Sequence, residues 1–208
     1  DRRSGDAPRP SVLAAVRVPG VVPLLIICWC IMAAFYGSFT YLGSYVRAET
    51  GSGAGVAGLM VLAYGAGFAL AAGQARWIDR WGPGRMLVLA GGCAVGVYLL
   101  MPVAGRHGMA LLPLMAAFGM TQHMVLNSTL AWLGSRDPVR RGSIMAVNSA
   151  VTYAGLTCGT SGLGWVWQAA GFPAVAACSA ALIGCAALIA WRLQRRSAAA
   201  LPPAGRPA

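Results

Sequence analysis

The sequence predicts an all-α, polytopic membrane protein, and three observations carry that expectation. The chain has 208 residues, of which 58% are hydrophobic and 10% charged, more apolar surface than a soluble core of this size requires. Its apolar residues fall into six runs, at 22–46, 55–75, 86–104, 108–133, 142–165 and 172–191, each near the roughly 20 residues that cross a bilayer as a helix. All sixteen basic residues are arginines, and they follow the connections between those runs. Arg2, Arg3, Arg9 and Arg17 precede the first run, Arg76, Arg80 and Arg85 separate the second from the third, and Arg136, Arg140 and Arg141 separate the fourth from the fifth. Arg192, Arg195, Arg196 and Arg206 follow the last, and only Arg47 and Arg106 stand in connections of the other parity. This bias predicts that both termini are cytoplasmic. The net charge of +11 thus reports orientation in a membrane rather than a nucleic-acid partner.

Residues 1–20 are polar, basic and punctuated by Pro8, Pro10 and Pro19, which predicts a cytoplasmic linker. The chain opens on Asp1 rather than methionine, in keeping with the expectation that it is a piece of a longer protein. The first span carries Ala33, Tyr36, Gly37, Thr40 and Ser44 at helical spacing, so one face is small and hydroxyl-bearing and is expected to meet water or substrate. In the second span Gly65, Ala69 and Gly73 stand four apart, a seam of small residues that admits a neighbouring helix. Between the second and third spans lies Ala75–Arg85, ARWIDRWGPGR, where Gly82 and Gly84 flank Pro83 and are expected to reverse the chain, which re-enters the bilayer at about Met86. The third span is plain and is expected to face lipid.

The fourth span holds Thr121, Gln122, His123, Asn127, Ser128 and Thr129. Polar groups at that depth are costly unless they meet a partner or a cavity, so Gln122, His123 and Asn127, with Tyr36 and Thr40, are the candidates to line a substrate site. They can equally serve to fasten helices together. The fifth span sets Asn148, Thr152, Gly155, Gly159 and Gly162 on one face as a second packing seam. The sixth, ending with residues 193–208 as a cytoplasmic tail, is plain again. Six of the seven tryptophans fall at span ends, where indole suits the headgroup level. A polar-faced, a small-seamed and a plain span therefore occur twice, and a three-plus-three repeat with an odd number of spans per unit must be inverted.

Asp79-Arg80-x-Gly82-x-x-Arg85 resembles the loop signature of the major facilitator superfamily, G-x-L-x-D-R-x-G-R-R, with Ala75 in place of its glycine, Ile78 in place of a small residue and Pro83-Gly84 in place of basic ones. TYLGSYV at 40–46, WIDRWGPGR at 77–85 and RRGSIMAVNSAVTYAGLTCG at 140–159 look like the carboxy-terminal half of bacterial sugar-efflux and drug:proton antiporters. The resemblance implies a six-helix half-transporter domain over 21–192 in a bacterial inner membrane, exporting a small organic solute. It also implies that Asp79, Arg80, Gly82 and Arg85 gate the cytoplasmic side against an amino-terminal half. The alternative is a stand-alone six-helix protein that pairs with a second six-helix subunit through Gly65, Gly73, Gly155 and Gly159.

No nucleotide-binding loop, metal-ligand spacing or dinucleotide fingerprint occurs, so no cofactor, metal or catalytic residue is expected. An ion gradient must then supply the energy. All five acids, Asp1, Asp6, Glu49, Asp79 and Asp137, lie outside the spans, which leaves His123 as the titratable group within them. Gly159-Thr160-Ser161-Gly162 resembles the nucleophile motif of rhomboid proteases, but the general base such a serine needs would be a histidine on a later helix, and none follows Ser161. The six cysteines all fall in spans without a C-x-x-C pair and are expected to be small packing residues.

Overall fold

The computed structural model describes residues 12–73 and 75–199. Among these there is no strand. The helices are α1 Val12–Val16, α2 Val21–Thr50, α3 Ala54–Ala72, α4 Ala75–Trp81, α5 Pro83–Gly105, α6 Leu111–Gly134 after a single 3-10 turn at Gly108–Ala110, and α7 Arg141–Ala199. Five helical stretches are long and apolar enough to cross a membrane: α2, α3, α5, α6 with its leading turn, and α7 over Arg141–Arg196. The expected loop between the fifth and sixth apolar runs is absent. Residues 166–170 continue the helix, and the interruption is Gly171, at φ +71°, where a side chain would be strained. Pro173 follows immediately, placed where its missing N–H costs nothing to a helix starting at 172.

Two crossings are built from glycine. A Cβ on Gly159 would collide with the backbone of Ala33 on α2, and one on Gly155 would sit 2.8 Å from the Trp29 carbonyl oxygen. In the same way Gly67 on α3 lies against the backbone of Ala116 on α6, and Gly119 on α6 against that of Tyr64 on α3. Close backbone approach is how apolar helices gain contact where burial from water gives no drive. The α3 seam differs from expectation: nothing in the described chain approaches Gly65, and Gly73 meets only the Leu70 carbonyl of its own helix. On a helix where more than half of the residues are glycine or alanine, the partner and not the pattern decides which glycine is used.

α2 is the most buried span and α3 the least. The third span, α5, does turn Leu89, Leu99 and Leu100 outward, but its other face buries Leu87, Tyr98 and Met101 in the core, with Gly91 in contact with Ala187 on the second arm of α7. It is an inner helix on one side, because Tyr98 and its neighbours fill the space between α6 and α7.

The segments that carry Arg17, Arg85, Arg136 and Arg192 collect at one end. Arg136 lies against Gly20, Trp132 packs on Gly84, and Arg192 and Arg196 stand beside Pro23. At the opposite end Arg106 Nε is 3.9 Å from Glu49 Oε2, Tyr45 donates to the Pro102 carbonyl at 2.7 Å, and the Tyr45 and Phe172 rings stack at 4.7 Å. Gly171 is therefore at the end opposite Arg141 and Arg192. Of the segment 1–20, residues 1–11 lie outside the described residues; in 12–20 Ala15 and Val18 are buried while Leu13, Arg17 and Pro19 are exposed. The tail continues α7 to Ala199, and residues 200–208 lie outside the described residues.

Candidate functional site

One helical residue advances about 100° around the axis, so His123 and Asn127 share a face of α6 while Gln122 is turned roughly a quarter of the way round. The structure separates them accordingly. Gln122 is 3% exposed, its Oε1 has no hydrogen-bond partner among the described residues, and it sits on the stripe with Met115, Phe118 and Val125 that packs into the bundle. His123 is half-buried, with the edge of its ring against Phe68 of α3, centroids 4.4 Å apart at 82°, and Asn127 is half-buried one turn further on. The His123 Nδ1 is buried and has no hydrogen-bond partner among the described residues.

On α2, Tyr36 and Thr40 are exposed one turn apart, and the Thr40 hydroxyl donates to the Tyr36 carbonyl at 2.7 Å. That bond satisfies the hydroxyl locally and leaves the Tyr36 ring to define the surface. A string of rings joins this surface to α6. Tyr36 meets Phe35 edge-on at 4.9 Å, Phe35 stacks on Phe39 at 5.3 Å and leans on Tyr64 at 5.6 Å, and Tyr64 reaches Phe68, the neighbour of His123, at 6.1 Å. Sequence reasoning missed Phe35, Phe39, Tyr64 and Phe68. Their spacing was the available signal, since Phe35/Phe39 and Tyr64/Phe68 are each four apart and so neighbours on a helix face. An aromatic strip with one imidazole and two phenols can stack on planar solutes, hold a cation over ring faces, and exchange a proton at His123.

The segment at 75–85 is more structured than a turn. α4 is a short helix, Trp77 and Trp81 stack at 6.5 Å, and Gly82, at φ +81°, donates its N–H to the Ile78 carbonyl at 2.9 Å. Gly82 performs the reversal by itself. Gly84 is instead helical and buried, 3.1 Å from Trp132 when given a Cβ, and α5 begins at Pro83 rather than at Met86 because proline pre-sets the first helical φ. Arg76, Asp79, Arg80 and Arg85 are exposed, and Asp79 and Arg80 make no ion pair among the described residues. In the next connection of that end, Asp137 accepts from the backbone N–H groups of Val139 and Arg140 and from Arg140 Nη1 at 2.8 Å. The Arg140 amide leads the contacts that hold this carboxyl below its usual pKa.

Ser161 is exposed on the first arm of α7, and no hydrogen bond joins it to either histidine among the described residues. All six cysteines are free; Cys28 and Cys30 are buried, while Cys93, Cys158 and Cys185 are exposed.

No protein-family model and no solved structure matches this chain. Over 168 residues the chain is 29% identical to an uncharacterised MFS-type transporter of Bacillus subtilis (strain 168), YwfA, a likeness that takes in 81% of this chain and 41% of that protein. The chain thus spans about two fifths of the length of the curated relative it matches.

Proposed function

We propose that this chain is the carboxy-terminal six-helix half of a major facilitator carrier in a bacterial inner membrane, and that the carrier exports a small organic solute by exchange against an ion gradient. The likeness to an MFS-type transporter across 81% of the chain is the observation that carries the reading. Six crossings are supported by α7, which starts and finishes at the arginine-rich end and is broken at Gly171. An inverted repeat is supported by the helix pairing: exchanging first for fourth, second for fifth and third for sixth spans turns the Gly155/Gly159 crossing onto α2 into the Gly67/Gly119 crossing between α3 and α6. By the arginine bias, the end that carries Arg17, Arg80 and Arg136 is cytoplasmic.

In this reading Tyr36, Thr40, Tyr64, Phe68, His123 and Asn127 form one wall of the central cavity, and an amino-terminal half or second subunit supplies the other. His123 is the group on this chain able to take a proton at the depth of the site. Gln122 acts from within the bundle, positioning α6. The test is transport by the complete reading frame in everted membrane vesicles, scored by uptake of fluorescent organic cations under an imposed pH gradient. Uptake that needs both the gradient and a co-expressed amino-terminal half supports the proposal. Uptake by this chain alone as a stable dimer would install the stand-alone reading in its place, and absence of gradient-driven uptake across cationic, neutral and sugar probes would refute the export reading.

A further inference from the structure

A cavity of about 400 Å³ lies at the arginine-rich end between the α1–α2 elbow and the α6–α7 connection. That volume is within the roughly 300–1,000 Å³ of small-molecule sites. Its polar lining is Arg17, Arg136, Arg140 and Asp137, walled by Val18 and Pro19. Three guanidiniums face one carboxylate, and that carboxylate is committed to the Arg140 side chain and to two backbone N–H groups. Arg17 and Arg136 make no ion pair among the described residues.

Arg136 is the telling residue. A surface arginine leaves its donors in water, but here Nε and Nη2 are buried and have no hydrogen-bond partner among the described residues. The guanidinium is held in place by the Trp132 ring at 5.1 Å and by Gly20. Gly20 stands at φ +83°, and any Cβ there would lie 3.0 Å from the guanidinium carbon, so the elbow is shaped to admit this side chain. Burial pulls the Arg136 pKa downward, yet a guanidinium does not give up its proton in a protein. A buried guanidinium is costly without compensating charge, and an oxygen-bearing anion in the cavity beside it would supply that charge.

We propose that this cavity binds a phosphate group, held by Arg136 and Arg17 with Arg140 at the rim. Guanidinium forks pair with phosphate through parallel N–H···O bonds, and two of them are matched better by a phosphate's several oxygens than by a single carboxylate. The phosphate has two possible sources, an anionic glycerophospholipid headgroup or free phosphate from solution. Basic pockets at helix ends take lipid headgroups, and the Trp132 indole beside Arg136 is a residue of the headgroup level. The site does not depend on the transport reading, since its residues are separate from the aromatic wall.

Binding to the purified full chain in a neutral detergent tests it by calorimetry, with short-chain phosphatidylglycerol, inorganic phosphate, and short-chain phosphatidylcholine as the zwitterionic comparison. Tighter binding of phosphatidylglycerol than of the other two identifies the source as lipid; phosphate binding at least as tightly as phosphatidylglycerol identifies it as free phosphate. In either case Arg136→Gln and Arg17→Gln are each expected to weaken binding by about tenfold or more, and Arg106→Gln, at the opposite end, to leave it unchanged. Arg17 is exposed, so its variant carries the test should Arg136→Gln fail to fold. No binding of either anion to the unsubstituted chain, or binding retained in the foldable Gln variants, overturns the proposal.

Discussion

Adding one methyl group to α7 should have opposite effects at two glycines three residues apart. At Gly159 a Cβ would run into the Ala33 backbone, and at Gly162 it would meet nothing within 4 Å. Backbone cannot rotate aside as a side chain does, so Gly159→Ala has to push α2 and α7 apart. The milder neighbour sets the scale: at Gly155 the methyl would lie 2.8 Å from the Trp29 carbonyl, against the 3.4 Å at which ordinary contact begins, so even there the helices must part by roughly 0.6 Å. Overpacking of this kind costs about 1–3 kcal/mol, while alanine returns up to about 1 kcal/mol of helix propensity relative to glycine. Gly159→Ala should therefore lose about 1–2 kcal/mol net, which for a chain of this length lowers Tm by roughly 2–8 °C. Gly162→Ala should hold or raise it. Thermal unfolding of the detergent-solubilised variants, followed by the fraction surviving as a monodisperse species, measures the difference. Equal Tm values for the two variants would show that the helices do not cross at Gly159 and would refute the packing argument.

Three further outcomes follow from the site and its surroundings. In the complete carrier His123→Leu should reduce gradient-driven uptake with membrane abundance unchanged, and unaltered uptake with the same pH dependence would remove His123 from the proton and substrate roles alike. In the proposed carrier Asp79→Asn should speed thiol labelling of a cysteine placed at the cytoplasmic side of the central cavity, because a carboxylate that docks on a helix N-terminus of the other half in one state contributes about 0.3–1 kcal/mol, up to about 2 when partly buried, enough to bias two conformers; equal labelling rates would reduce Asp79 to an ordinary surface acid. Asp137 has a depressed pKa in the folded chain, so its stabilisation is present above the unfolded carboxyl value of about 3.9 and is lost as pH falls through the lower folded value. Between roughly pH 5 and 3 the fall in Tm should accordingly be shallower for Asp137→Asn than for the unsubstituted chain, and parallel curves would show that the Arg140 contacts are not maintained.

The membrane class and the arginine pattern were legible in the sequence because a bilayer imposes them on composition directly. Each crossing needs an apolar run of a certain length, and each arginine stays out of the hydrocarbon unless something pairs with it. The sequence reading put Gln122 with His123 and Asn127, although a 100° step parts the first two, and it is the burial of Gln122 that separates them. Other features were decided by tertiary contact. Along α3 more than half of the residues are glycine or alanine, so the sequence offers several seams, and it is the position of α6 that selects Gly67 and leaves Gly65 and Gly73 untouched. Residues 166–170 are as compatible with helix as with a loop, and the reversal falls at Gly171, the residue with positive φ, beside Phe172 stacked on Tyr45. Arg136 reads as one of several solvated loop charges, and only the fold, by bringing Gly20 and Trp132 around it, buries its donors. A sequence states which groups are polar and how they repeat along one helix; which of them lose water depends on neighbours that are distant in the chain, and that is set by how the helices cross.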